Sequence, residues 1–213
     1  MQNMNKHVIL AGDSIFDNAT YVPGEPCVTD QLRALVGDGS SVSMIAVDGD
    51  YVSDVWRQVR SLPDGATHIF VSAGGNDALR HAHKLGYDYL TSEDLFKEWA
   101  DIQAEFRSEY RQMLEAILEL NLHTAICTVY DAVPIVGAVE VKALSLFNDV
   151  ITTEAIIRGF PIIDLRRVCV DPGDYSPISP IEPSCQGGEK IAAAIQQMLE
   201  SHDFSARRTV IYT

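Results

Sequence analysis

Ser14, in the run Gly12-Asp13-Ser14-Ile15, follows the apolar stretch HVILAG and so sits where a strand gives way to a turn. A serine on a sharp turn presents its hydroxyl outward, as an acyl-transfer nucleophile must; the same position also suits a serine that satisfies free backbone N–H groups. Two further loops have comparable character. Val47-Asp48-Gly49-Asp50 carries a glycine suited to a tight turn with positive φ, and Gly74-Gly75-Asn76-Asp77 carries an asparagine suited to an Asx turn. A Pro-rich stretch places Glu182 between Ile181 and Pro183. Burial there would raise its carboxyl from about 4.3 toward 6 or 7 and let it take a proton from Ser14.

More carboxylates gather in these loops than an ordinary acyl pocket needs, Asp48, Asp50 and Asp77 among them, and most read as solvated loop caps. Asp13, Asp17 and Asp174 are the ones expected to face a pocket. A seat for a cationic group or a hard divalent ion is the minority reading; no metal-ligand spacing supports it, and no metal or cofactor is expected.

These residues need elements to position them. Short apolar runs, HVILAG, SVSMIAV, THIFVSA, HTAICTV and FPIIDL, alternate with helical patterns over 29–36, 53–60, 92–120, 139–158 and 184–200. Strands that are mostly apolar along their length suggest a parallel sheet covered on both faces. The third helix carries Leu95, Trp99, Ile102, Phe106, Tyr110, Leu114 and Ile117 at three- and four-residue steps, a core stripe, with Thr91 and Asp94 as its cap. Gly159 ends the fourth helix and Pro161 starts the next strand. This alternation predicts an α/β fold of three layers, α/β/α, with its ligand site beyond the carboxyl ends of the strands. Ser14, Gly49, Asn76 and Glu182 all fall at that edge.

Histidine, the usual general base, is poorly placed. His7, His68 and His123 begin strands and His202 ends the last helix, all toward the amino edge. Only His81 and His83 lie toward the carboxyl edge. Two residues apart on a helix, they point to nearly opposite sides, so at most one can reach Ser14.

The GDS-Ile run, an isolated glycine after the second strand and the Gly-x-Asn-Asp run after the third resemble, in order and separation, the first three sequence blocks of the SGNH/GDSL hydrolases. The resemblance spans nearly the whole chain. It implies a flavodoxin-like sheet of five parallel strands with Ser14 as nucleophile. It also implies an oxyanion hole made by the backbone N–H groups of Ser14 and Gly49 with the Asn76 side chain. The family's last block places Asp three residues before a catalytic His. Here, aligned through Pro183, Ser184 and Gly187, those positions read Ser179 and Glu182.

The expected activity is serine-dependent hydrolysis or acyl transfer on a small ester or thioester, with Ser14, Gly49, Asn76 and Glu182 in the machinery and Asp13, Asp17, His81, His83 and Asp174 around the pocket. Two alternatives follow from the departure at Glu182. One is a hydrolase-like fold that binds a small ligand without turnover; the other is acid/base chemistry by Glu182 with Asp13 or Asp174 on a biosynthetic intermediate.

Composition narrows the classes further. A net charge of −14 over 213 residues opposes binding to phosphate backbones or anionic lipid, so neither nucleic acid nor membrane is an expected partner. With 46% hydrophobic residues the chain supports one domain over 1–213, ending in a tail over 203–213 whose RTVIYT run has strand character. MQNMNKHVILAGDS reads as neither signal peptide nor membrane span, so a cytoplasmic location is expected. Cys27, Cys127, Cys169 and Cys185 are expected as core residues without chemistry.

Overall fold

The computed structural model describes residues 5–213. Six strands, β1 (His7–Gly12), β2 (Ser41–Met44), β3 (His68–Ser72), β4 (His123–Cys127), β5 (Ile162–Ile163) and β6 (Ile211–Tyr212), form one sheet in the order β2-β1-β3-β4-β5-β6. Every pairing is parallel. The first five strands have the expected flavodoxin-like order. The expected count of five is corrected to six, because the C-terminal tail returns to the sheet. There Ile162 N donates to Val210 O at 2.9 Å and Asp164 N to Tyr212 O at 2.8 Å, so the tail covers an edge that β5 would otherwise leave open.

Side-chain alternation along each strand builds two cores. Val8 and Leu10 of β1 pack toward α1 (Val28–Leu35) and the last helix, α7 (Cys185–Ser201). Ile9 and Ala11 pack the opposite way, toward α2 (Val55–Val59), α4 (Ser92–Leu118) and α5 (Ala138–Arg158). The apolar stripe of α4 is core as expected: Trp99, Ile102, Phe106, Tyr110, Leu114 and Ile117 are all buried. Its start is a capping box, in which Thr91 Oγ1 accepts from Asp94 N at 3.1 Å and Asp94 Oδ2 accepts from Thr91 N at 3.1 Å. Buried Glu154 ties α4 to α5 by accepting from Arg111 at 2.9 Å, Arg107 at 3.2 Å and Arg158 at 2.8 Å. Burial alone would raise its pKa, but the three guanidinium groups outweigh that and hold it at about 2.

Two short helices complete the chain. Residues 75–77, read from the sequence as loop, instead open α3 (Gly75–His81), and α6 (Leu165–Val168) follows β5. Among the described residues no helix is long and apolar enough to cross a membrane. All four cysteines are free; Cys27, Cys127 and Cys169 are buried and Cys185 half-buried.

Candidate active site

The turn that carries Ser14 is set by Gly12. Its φ is +126°, and Ser72 O lies only 1.7 Å from where a Cβ would stand. Gln58 grips this residue from both sides, Oε1 accepting from Gly12 N at 2.8 Å and Nε2 donating to Gly12 O at 2.7 Å. The chain then reverses: Asp13 N donates to Ser72 O at 3.0 Å, while Asp13 Oδ1 accepts from Ile15 N at 3.2 Å. Ser14 emerges from this turn almost fully buried, at 6% exposure.

Glu182 reaches the same place from the far end of the chain. Its backbone is pinned on both sides: Ser176 N donates to Glu182 O at 2.8 Å and Glu182 N to Ser179 O at 2.9 Å. The flanking residues are held as firmly, with Tyr130 Oη donating to Ile181 O at 2.6 Å and Asn18 Nδ2 to Pro183 O at 3.1 Å. Burial raises the Glu182 pKa, the neighbouring Ser14 hydroxyl opposes that rise, and the charge of Asp48 adds to it. Oε2 is buried without a hydrogen-bond partner, so the approach of Ser14 leaves an acceptor site open on the carboxyl group.

Asn76, in the first turn of α3, uses Nδ2 to donate to Asp50 O at 2.9 Å. Asp50 belongs to the turn after β2, closed by Asp50 N donating to Val47 O at 3.1 Å, and its Oδ2 accepts from Gln58 Nε2 at 2.9 Å. Gly49 occupies the exposed tip of this turn with φ +84°. The loops after β1, β2 and β3 are thus laced together through Gln58, Asp50 and Asn76.

A cavity of about 130 Å³ opens beside them. Asp13, Ser14, Asn76 and Glu182 all line it; Gly49 does not. Asp17 faces outward of this cavity and accepts from Asp48 N at 3.0 Å, holding the β2 loop. Asp174, fully buried, binds Lys190 at 2.7 Å and Asp171 N at 2.9 Å, which fixes the start of α7 rather than a pocket wall. His81 stacks on Phe147, while His83 is exposed with Nδ1 3.0 Å from Arg80 O; no histidine lines the cavity. Gln58, Asn18 and Tyr130 escaped the sequence reading. Tyr130 follows β4 at the carboxyl edge, a position that marks it for inspection, whereas the links of Asn18 and Gln58 are purely tertiary.

No family model matches the sequence, and no curated protein matches it. Solved structures do. A lipase from a goat rumen metagenome superposes with a TM-score of 0.66 at 18% identity, covering 91% of this chain and 97% of its own. An acetyl xylan esterase from Geobacillus stearothermophilus gives 0.66 at 14%, covering 93% and 96%. A G-D-S-L family lipolytic protein from Veillonella parvula gives 0.65 at 16%, covering 92% and 97%. The fold is that of the SGNH/GDSL hydrolases.

Within this SGNH/GDSL fold the residues beside Ser14 form an acidic group with perturbed titration. Desolvation pushes Asp13 up to about 8, against the pull of the Ile15 N–H bond and with added repulsion from Glu182 and Asp77. Asp77 is pushed by burial to about 6, although its Oδ2 accepts from Val52 N at 3.1 Å. Asp13 is therefore protonated at neutral pH in the folded chain and ionised in the unfolded one.

That difference has a sign. A carboxyl group whose folded pKa is raised binds more protons folded than unfolded, so stability falls as pH rises from about 4 to about 8, by up to about 1.4 kcal/mol per unit. His68 acts oppositely over part of that range. Burial depresses its pKa to about 4, so its contribution is lost as pH falls below the ordinary histidine value of 6.5. The window between pH 6.5 and 8 is where Asp13 stands clear of it. Asp13→Asn, which keeps an acceptor for Ile15 N, is expected to flatten the decline of Tm across this window and to be more stable than the parent at pH 8. Thermal scans over pH 6–9 test it; parallel curves for the two proteins would refute the assignment.

Proposed function

We propose that this chain is a serine-dependent hydrolase or acyl transferase acting on small esters or thioesters. The observation that carries the reading is that Ser14 and Glu182, from opposite ends of the sequence, meet almost fully buried on the wall of one cavity at the carboxyl edge of the sheet. Ser14 Oγ attacks the ester carbonyl carbon and its proton passes to the ionised Glu182 carboxylate. Collapse of the tetrahedral adduct breaks the acyl–oxygen bond, and Glu182 returns the proton to the leaving alkoxide. Water then repeats the sequence to free the acid; an acceptor alcohol in its place gives transfer.

The negative charge on the adduct oxygen requires donors. The backbone N–H groups of Ser14 and Gly49 and the Asn76 amide are proposed for this role. Asn76 Nδ2 carries two hydrogens; the one given to Asp50 O fixes the amide plane and leaves the other for the oxyanion. The lipase, the acetyl xylan esterases and the G-D-S-L family lipolytic protein with the same fold support ester chemistry for this chain by analogy.

A fluorophosphonate probe labels only a serine that has both an activating base and donors for the phosphoryl oxygen. The expected result is one probe per chain by mass spectrometry, lost in Ser14→Ala. A wild-type protein that stays unlabelled would instead favour a fold that binds ligand without turnover. A second reading rests on the raised pKa of Asp13 next to Glu182, a protonated and an ionisable carboxyl group suited to acid/base work on a bound intermediate. Under that reading Ser14→Ala loses little activity and Glu182→Gln loses most of it.

A further inference from the structure

We infer that the cavity beside Ser14 is a specificity pocket for one compact, uncharged apolar group of about benzene size, and that the substrate is a neutral ester or thioester carrying that group rather than a thioester of a polyanionic carrier. This rests on the reading of Ser14 as nucleophile.

The cavity sits between three helices. Leu79 of α3, Leu85 of the turn that follows, Trp99 of α4, Leu144 and Phe147 of α5 and Val133 after β4 form its wall. Its volume of about 130 Å³ is close to the roughly 150 Å³ of a dry apolar cavity that accepts benzene, which corresponds to about five to seven carbons. Polar groups gather where Asp13, Ser14, Asn76 and Glu182 line it, so an acyl carbonyl held at Ser14 would direct its apolar remainder among the six wall residues. The cavity is partly open to solvent, with Leu79 in its wall 48% exposed, so methylenes beyond those six residues pass into water and bury nothing more.

Charge decides the rest of the substrate. The ionisable side chains that line the cavity are Glu140, Glu182 and Asp13, the last protonated at neutral pH; all are acidic, and none of the lining residues is Lys, Arg or His. Asp48 adds its charge near Glu182, and the Arg57 guanidinium nearby is taken up by Asp50 and Asp54. A carrier bearing several phosphates would meet an acidic lining that offers it no basic side chain, on a chain of net charge −14.

The decisive experiment is a panel of p-nitrophenyl esters from acetate to dodecanoate, joined by two hexanoyl thioesters, one of coenzyme A and one of uncharged N-acetylcysteamine. The expected kcat/KM rises by about fourfold per methylene up to about hexanoate and gains nothing further beyond it. The coenzyme A thioester should run at least about tenfold below the uncharged one, a gap that narrows as salt screens the repulsion. Ala143→Phe, on α5, and Ala82→Phe, in the turn after α3, each add bulk to the cavity lining, and each is expected to lower the hexanoate-to-acetate ratio by about tenfold or more. A flat chain-length profile, or preference for the coenzyme A thioester, overturns the inference.

Binding separates the pocket from the serine chemistry. In Ser14→Ala, 1-hexanol should shift the methyl resonances of Val133 and Leu144, and Ala143→Phe should abolish the shifts. If wild type hydrolyses nothing in the panel yet those shifts are seen, the serine reading falls and the pocket stands. If hydrolysis proceeds without the shifts, the pocket falls and the serine reading stands.

Discussion

Glu182→Gln is expected to lower kcat/KM for ester hydrolysis by about 10²–10⁴-fold while leaving the fold intact. Glutamine fills the same space but cannot accept the Ser14 proton. The contacts that hold residue 182 in place run through its backbone, to Ser176 and Ser179, and through the neighbouring carbonyls of Ile181 and Pro183, so the substitution leaves them unchanged. Stability at neutral pH should stay level or rise, because a buried carboxyl group with a raised pKa is replaced by a neutral one. The pH profile carries the mechanistic signature. The base works ionised, so the wild-type rate falls as pH drops through the Glu182 pKa, which burial sets above the ordinary glutamate range. At the alkaline end, ionisation of Asp13 near pH 8 places a second charge beside Glu182 and beside the developing oxyanion, and the rate falls again. Asp13→Asn should remove that alkaline limb and leave the acid one. A Glu182→Gln enzyme that retains activity within about threefold of wild type would remove Glu182 as the base.

Much of this site is legible in local sequence, and the unread part is the part that depends on distance along the chain. HVILAG and THIFVSA are mostly apolar, without polar alternation, because both faces of β1 and β3 are covered, and that pattern puts Ser14 and Gly75-Asn76 at one edge. The start of α4 was equally readable, since the capping box of Thr91 and Asp94 is built from neighbours. The Gly-Gly-Asn-Asp run misled because two glycines suggest a loop, whereas only Gly74, with φ +124°, stays outside the helix that Gly75 begins. The strand character of RTVIYT is local, but its place as a sixth strand is not, because the partner of Ile211–Tyr212 is Ile162–Ile163, about fifty residues earlier. Asp13 caps its own turn through Ile15 N, a local contact, but its raised pKa comes first from burial and then from the charges of Glu182 and Asp77, all of which depend on the folded chain. The cavity itself has no sequence signature, being the gap left where α3 and the turn after it cross α4 and α5.

Gly12→Ala is expected to destabilise the fold by about 2–5 kcal/mol, the sum of backbone strain and overpacking, and to lower Tm by about 10 °C. Two independent costs coincide at this residue. The φ of +126° is one that a side chain rarely adopts, and the added methyl would stand 1.7 Å from Ser72 O with backbone on both sides of the clash. Neither β1 nor β3 can yield cheaply, because Gly12 pairs with Ser72 in the register that joins these central strands, and Asp13 N spends its hydrogen bond on the same Ser72 carbonyl. Gly49→Ala is the natural control. Its φ of +84° is also unfavourable to a side chain, but nothing lies within 4 Å of the added methyl, so strain alone remains, about 1 kcal/mol. The substitution at residue 12 also reaches the catalytic residues. Any shift that relieves the clash at residue 12 moves the turn two residues before Ser14, and Gln58, which bonds both Gly12 and Asp50, carries the displacement to the carbonyl that orients Asn76. Gly12→Ala is therefore expected to lose activity beyond what its folded fraction explains, measured below its lowered Tm. Activity per folded molecule equal to wild type would show that the Ser14 turn and the Asn76 amide are positioned independently of Gly12.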